Sequence, residues 1–339
     1  MEPGNTGSAA QLSQSELPVF FLQLGENTSL FFGHVLKQAV LSNGKNNVYV
    51  LTDTYFDDYR DYNCIDVRKY TQGIKEFDKV YRHHSINPYF FEKACFDRWF
   101  IINDIVKELG IKHFVHADCD VVVLQDLKPV FNTYIKDKYE GTTMFFQHGE
   151  DSVTSGHTSF WSAKLIHDFC RFTLDKYANK AGFEKLLADT LAGKFLDNKN
   201  VSDMILLDVF RTEAHPHVLN LLSLEKDGIS FDFNVNVPFN GCEYSFETTP
   251  STNIKKMIRR NDGLYGKVKG INGTPVFSKF YTLHFQGYLT KTLIPLHVTA
   301  QTAGEGVANF IHSKSHNLVR RGKLFKNKVR DGLKKLIKK

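Results

Sequence analysis

Two aspartates one residue apart, Asp118 and Asp120, stand between apolar flanks in the segment HFVHADCDVVVL, residues 113–124. In an extended chain alternate residues share a face, so this spacing predicts two carboxylates projecting together. Like charges that close repel unless a cation sits between them. Oxygen donors with open coordination positions suit Mn²⁺ or Mg²⁺, with phosphate oxygens completing the shell. An ordinary charged strand end is the competing account of the tripeptide. Arg98 lies among Phe96, Trp99, Phe100, Ile101 and Ile102. A guanidinium in that company needs an anionic partner, which is a phosphate-bearing ligand or an acid of the chain such as Asp97 or Asp104. Gln23, Gly25 and Asp53 fall at the ends of two apolar runs, where open α/β sheets bind nucleotides. His148, Glu150 and Asp151 form a polar run that reads as an exposed loop.

The elements that must position these groups are legible in outline. Residues 18–24 (PVFFLQL) are a short apolar run closed by Gly25, which reads as a buried strand. Residues 30–41 carry Leu30, Phe31, Val35, Leu36, Ala39 and Val40 at helical spacing, and residues 47–52 (NVYVLT) read as a second strand. Strand, helix and strand at this length make a βαβ unit and imply a parallel sheet. A third short strand is expected near residues 65–67. Residues 90–109 hold the longest helical pattern, stopped by Gly110, and deliver a strand over 113–124. Beyond it the pattern predicts a strand over 142–147, helix over most of 159–195 and over 201–210, and an alternating strand over 229–237. Residues 240–275 read as loop-rich, and 277–285 as a late strand.

From this point a resemblance becomes specific. The segment around Asp118 and Asp120 resembles the hydrophobic-DxD-hydrophobic stretch of GT-A glycosyltransferases. Its surroundings look most like family 8, the glycogenin and bacterial lipopolysaccharide galactosyl- and glucosyltransferase type. The helix with Asp97-Arg98-Trp99, the turn Thr154-Ser155-Gly156, the acidic helix from Asn200 through Asp203 to Phe210, the run from Ser230 to Val237, and His284-Phe-Gln-Gly287-Tyr-Leu-Thr-Lys291 follow in the family's order over residues 18–295. The resemblance implies a Rossmann-like nucleotide-binding half with a mixed central sheet. It implies transfer of a hexose from a nucleotide-diphosphate donor, UDP-linked, to a glycan or glycolipid acceptor with retention. It makes Asp118, Asp120 and His284 the ligands of Mn²⁺ (or Mg²⁺), and a neutral imidazole is a good third ligand beside two carboxylates. Gly287 would let backbone approach phosphate, and Lys291 would neutralise the leaving diphosphate. Ser155 and Gly156 would approach the sugar, and Asp203 is the acid expected to face it. Two departures bear on the stereochemistry. Met204 stands where the family has Gln, and Lys291 comes one place late without the usual Pro-Trp. An inverting enzyme with Asp203 or Glu150 as base, a haloacid-dehalogenase-like phosphatase and a non-catalytic nucleotide- or glycan-binding module are the alternatives.

Composition sets the frame. The chain has 339 residues, 42% hydrophobic and 13% aromatic, enough for a substantial core. Five scattered cysteines (64, 95, 119, 170 and 242) make no CxxC, so neither a disulfide framework nor a zinc knuckle is expected. No signal peptide or membrane-length apolar run is seen, and a cytoplasmic location is expected. Residues 1–17 read as a flexible leader and 18–312 as a single α/β domain. Residues 313–339 read as a basic tail with eleven Lys/Arg against Asp331, which leaves the rest of the chain at −4 of the net +6. Leu324, Phe325, Val329, Leu333, Leu336 and Ile337 put an apolar stripe on that tail. A cationic amphipathic helix with such a stripe predicts peripheral contact with an anionic membrane surface at the cytoplasmic face, rather than nucleic-acid binding.

Overall fold

In the computed structural model, which describes residues 15, 17–25, 31–54, 59–148, 151–195, 200–238, 245–250, 252–269 and 275–298, the first two apolar runs become adjacent parallel strands. They are β1 (Val19–Gln23) and β2 (Val48–Thr52), joined through the helix Phe32–Asn43. β3 (Asn63–Asp66) pairs in parallel outside β2, and β4 (His113–Ala117) in parallel on the other side of β1. Period-two alternation sends neighbouring side chains to opposite faces. Val19, Phe21, Val48 and Val50 join one core, and Phe20, Tyr49 and Leu51 the other. Burial on both faces is what allows a run as uniformly apolar as VFFLQ.

The long helix Tyr89–Leu109 ends at Gly110, which takes the left-handed conformation (φ 64°) that favours glycine. It then feeds β4. The sheet continues antiparallel through β8 (Thr158–Ser162), β6 (Gly141–His148) and β7 (Asp151–Ser155), in the order β3-β2-β1-β4-β8-β6-β7. β9 (Val218–Asn220) pairs with β6 off that path. The result is an α/β architecture with a mixed central sheet and a Rossmann-like first half, as the resemblance implied.

The expected strand over 113–124 is broken in the middle. Its second piece, β5 (Val121–Val123), leaves the first sheet and pairs antiparallel with β14 (Pro275–His284) of a second sheet. Strand alternation therefore does not orient the two aspartates, because they lie on a turn between two strands. The second sheet holds β10 (Ile229–Phe231), β11 (Ser245–Phe246), β12 (Met257–Arg260) and β13 (Gly263–Lys269). The region read as loop-rich thus contributes three strands. The alternating strand expected over 229–237 stops at Phe231. The helical stretch after residue 159 starts only at Ala163, in the helices Ala163–Ala178 and Lys180–Leu191. Almost all of the leader, the whole tail over 313–339, and Glu150 lie outside the described residues.

Candidate active site

The turn Asp118–Cys119–Asp120 sits at the seam of the two sheets, at the carboxyl ends of β1 and β4. A cavity of about 650 Å³ opens over it, lined among others by Gln23, Arg98, His116, both aspartates, Ser155, Met204, His284, Gly287 and Lys291. Ligands of open α/β sheets bind at this kind of strand edge. The register His284↔Val121 between β14 and β5 brings a residue 164 positions downstream of Asp120 to its side.

Each aspartate has its own surroundings. Asp118 accepts from Arg98 Nη1 at 2.6 Å, and Arg98 Nη2 reaches the buried Asp203 at 2.5 Å. Trp99 Nε1 also donates to Asp203, at 2.9 Å. Burial alone would lower the Arg98 pKa, but Asp203 and Asp118 outweigh it and hold the guanidinium charged. Burial alone would raise the Asp118 carboxyl. Arg98, then His116, His284 and Lys291, hold it below its ordinary value. On the other side, Lys291 Nζ lies 2.9 Å from Asp120 Oδ2 and His284 Nε2 lies 3.6 Å from Asp120 Oδ1.

The tautomer of His284 follows from its partners. Nδ1 is 2.7 Å from the Phe233 carbonyl, which can only accept, so Nδ1 carries the proton of the neutral ring. In that tautomer the lone pair is on Nε2, the atom that faces the Asp120 carboxylate. Two electron-rich atoms facing each other at this distance are suited to share a cation, and a second ring nitrogen tied to a carbonyl is the usual support of a metal-binding histidine. Asp232 anchors the same residue, its Oδ2 accepting the His284 N–H at 3.0 Å. Asp232 is in turn paired with Lys255, and both side chains are wholly buried. His157 stacks on His284 with ring centroids 3.9 Å apart. It donates from Nε2 to the Asp232 carbonyl and accepts the Ser155 hydroxyl at Nδ1.

The structure thus gathers Arg98, Asp118, Asp120, His284, Gly287, Lys291, Gln23 and Ser155 around one cavity, and it revises several expected roles. Among the described residues no three His, Cys, Asp or Glu side chains form a ready cage for a metal. Asp120 and His284 face each other, while Asp118 is drawn to Arg98. Asp203 does not line the cavity. It is buried beneath it, holding Arg98 and Trp99. Gly156 packs on Trp99, where a Cβ would stand 2.9 Å from the indole, so its small size serves packing, and it does not line the cavity. Asp53 accepts the Gly25 N–H at 2.8 Å and closes the turn after β1, and neither residue lines the cavity. Gly287 does line it, at φ 87° with open space around its Cα, a conformation that only glycine takes without strain.

Sequence reasoning missed His116, His157, Asp232 and Lys255. His116 had a usable signal, since it stands two residues before Asp118 on a strand. Its Nδ1–H is held by the Gly156 carbonyl at 2.9 Å and its Nε2 lies 3.5 Å from Asp118. Burial, with Arg98 adding to it, lowers the pKa to about 4, so the ring is neutral at pH 7.

No protein-family model matches the chain, and no curated protein matches it. Among solved structures it is similar to the galactosyltransferase LgtC in complex with donor and acceptor sugar analogs. That match has 12% identity and a TM-score of 0.42, and covers 87% of this chain and 95% of that one. It is also similar to mouse xyloside xylosyltransferase 1, at 8% identity over 60% and 84% with a TM-score of 0.39. A third is the PaToxG glycosyltransferase, at 10% identity over 62% and 76% with a TM-score of 0.36. All three TM-scores lie below 0.5, and the chemistry of the cavity rests on its own side chains.

Proposed function

We propose that the chain is a glycosyltransferase that moves a hexose from a nucleotide-diphosphate donor, UDP-linked, to a glycan or glycolipid acceptor. The observation that carries this reading is the placing of Asp120 opposite His284 Nε2, with His284 Nδ1 tied to the Phe233 carbonyl and Lys291 alongside, in one cavity at the strand edge. Such a donor set suits a cation shared with a ligand rather than a closed protein cage. Asp120 and His284 would hold Mn²⁺ or Mg²⁺, Asp118 would add a second carboxylate as third ligand, and diphosphate oxygens would fill the remaining positions. When bound, the cation supplies Lewis-acid stabilisation of the departing diphosphate.

The chain's own residues do the rest. Lys291 turns from Asp120 to the β-phosphate as negative charge builds there. Gly287 gives the phosphate a close approach to backbone. Arg98, fixed by Asp203, keeps the Asp118 carboxylate ionised and directed at the cavity. Retention is the favoured outcome. The only carboxylates among the described lining residues are Asp118 and Asp120; of the two bases named for an inverting enzyme, Asp203 is buried against Arg98 and Trp99, and Glu150 lies outside the described residues. A thermal-shift and donor-hydrolysis screen of nucleotide sugars, with and without Mn²⁺, tests the reading. Stabilisation and hydrolysis by one donor only when Mn²⁺ is present is the expected result. Phosphate release from simple esters, or tight nucleotide binding with no transfer to any acceptor, would replace it with the phosphatase or the binding module. Proton NMR of the product's anomeric centre decides retention.

A further inference from the structure

One edge of the cavity mouth is built from large apolar side chains that face solvent. Ile86, Tyr89, Phe90 and Phe91 are 74%, 47%, 84% and 60% exposed, in a single run at the start of the helix Tyr89–Leu109. Singly exposed apolar residues are ordinary, but four together mark a contact surface. The run is held firmly in this pose. The buried Asn200 side chain accepts the Ser85 hydroxyl at 2.7 Å and the Ile86 N–H at 2.8 Å. The buried Glu92 accepts the Asn87 side-chain amide at 2.9 Å and lies 2.8 Å from the Ser85 hydroxyl, whose single proton it shares with Asn200. Phe91 also lines the cavity, so the edge is continuous with its mouth.

The chemistry of the edge selects its partner. A sugar needs hydroxyl-matching groups, and of these four side chains only Tyr89 offers one. Exposed Arg82 and His83 flank the run, and the His83 ring lies 5.5 Å from that of Tyr89. Bare aromatic and aliphatic groups beside the Arg82 guanidinium suit the headgroup boundary of a bilayer. The same chain ends in a segment with eleven Lys/Arg in its last 27 residues. Two weak signals of this kind, one apolar and one polybasic, together give firm attachment to anionic lipid. Among the described residues no helix is long and apolar enough to cross a membrane.

We propose that the edge formed by Ile86, Tyr89, Phe90 and Phe91 seats in the surface of an anionic lipid bilayer and holds the cavity mouth against it. If the transfer proposed above is right, and only this clause rests on it, the acceptor is presented from that surface. The test uses the full chain carrying Phe90→Trp, with vesicles of phosphatidylcholine and phosphatidylglycerol containing brominated acyl chains. Trp99 and Trp161 are each 1% exposed and shielded from lipid. The introduced indole is expected to shift to the blue and be quenched by these vesicles, while wild-type emission changes little. A second variant, Ile86→Ser with Phe90→Ser, is expected to lower vesicle partitioning about tenfold or more, with vesicle-free donor hydrolysis unchanged. Partitioning equal to wild type, or an introduced indole untouched by brominated lipid, would overturn the proposal. So would a blue shift already complete without vesicles, which places the edge against protein. Loss of the transfer reading with quenching retained would leave the docking surface intact.

Discussion

The two halves of the Asp118–Asp120 turn look alike in sequence and differ in kind. The Asp118 side belongs to the large sheet and its long helix. There Arg98 is clamped between Asp118 and the buried Asp203, with Trp99 donating to the same carboxylate. The Asp120 side belongs to the small sheet, where Lys291 and the Nε2 of His284 face a carboxylate near the cavity. The first is a clamp in which one guanidinium serves two carboxylates, one of them buried. The second sets a histidine nitrogen and a carboxylate facing each other at the cavity, the better seat for a cation, with Asp118 at its edge as the further ligand. A DxD pair therefore need not be two equivalent ligands.

Substitutions on the two sides should separate function from stability. Asp120→Ala is expected to lower transfer about 10³-fold, since metal stabilisation of a leaving diphosphate is worth several kcal/mol. It should move stability by less than about 1 kcal/mol, because the Asp120–Lys291 pair is partly exposed. Steady-state kinetics with parallel denaturant melts would show this. Equal losses of stability and activity would erase the distinction. Asp203→Ala should behave in the opposite sense, costing about 1–3 kcal/mol by removing the acceptor that Arg98 and the buried Trp99 share, while Arg98 keeps Asp118. Urea unfolding reads that figure, and a loss under 1 kcal/mol would show that the clamp is not structural.

The support behind His284 allows a finer cut. Lys255→Met alone should cost about 3–5 kcal/mol by leaving Asp232 buried and unbalanced. Adding Asp232→Leu should restore much of that stability. Mn²⁺ affinity should nevertheless stay about 10–100-fold weaker, because the His284 N–H has lost its acceptor. Recovery of stability and metal binding together would mean that Asp232 does not position the histidine.

Acid should weaken the Asp118 side. His116 takes up a proton near pH 6.5 when unfolded but only near pH 4 when folded. Its contribution is complete above pH 6.5 and is lost as the pH falls toward 4, by about 3 kcal/mol at most. Urea midpoints at pH 7 and pH 4.5 should show the fall, and a His116→Gln chain should show a flatter dependence on pH.

The parallel half of the fold could be read from the sequence because its signals are local. Apolar runs of strand length, a helical repeat and Gly110 each act within a few residues. The partnerships that complete the site are not local. Nothing near Val121 says that β5 leaves the first sheet, and that crossing is what puts His284 beside Asp120. The buried pair of Asp232 with Lys255 is equally silent, since an acid in an alternating run and a lysine in a polar one both read as surface residues. Asp203 stands out in the sequence as a helix-start acid, and the structure places it against Arg98 and Trp99 rather than in the cavity lining. A helix-start acid facing a ligand and one clamping an arginine look the same until the arginine's position is known.

The central claim is that Asp120 and His284 together hold a divalent cation with the donor's diphosphate. Electron paramagnetic resonance titration of Mn²⁺ into the full chain, in the presence of UDP, tests it directly. The account predicts a bound Mn²⁺ signal that weakens at least about tenfold in His284→Ala. Asp203→Asn should leave the number of Mn²⁺ sites unchanged. Mn²⁺ affinity identical in wild type and His284→Ala would contradict the account.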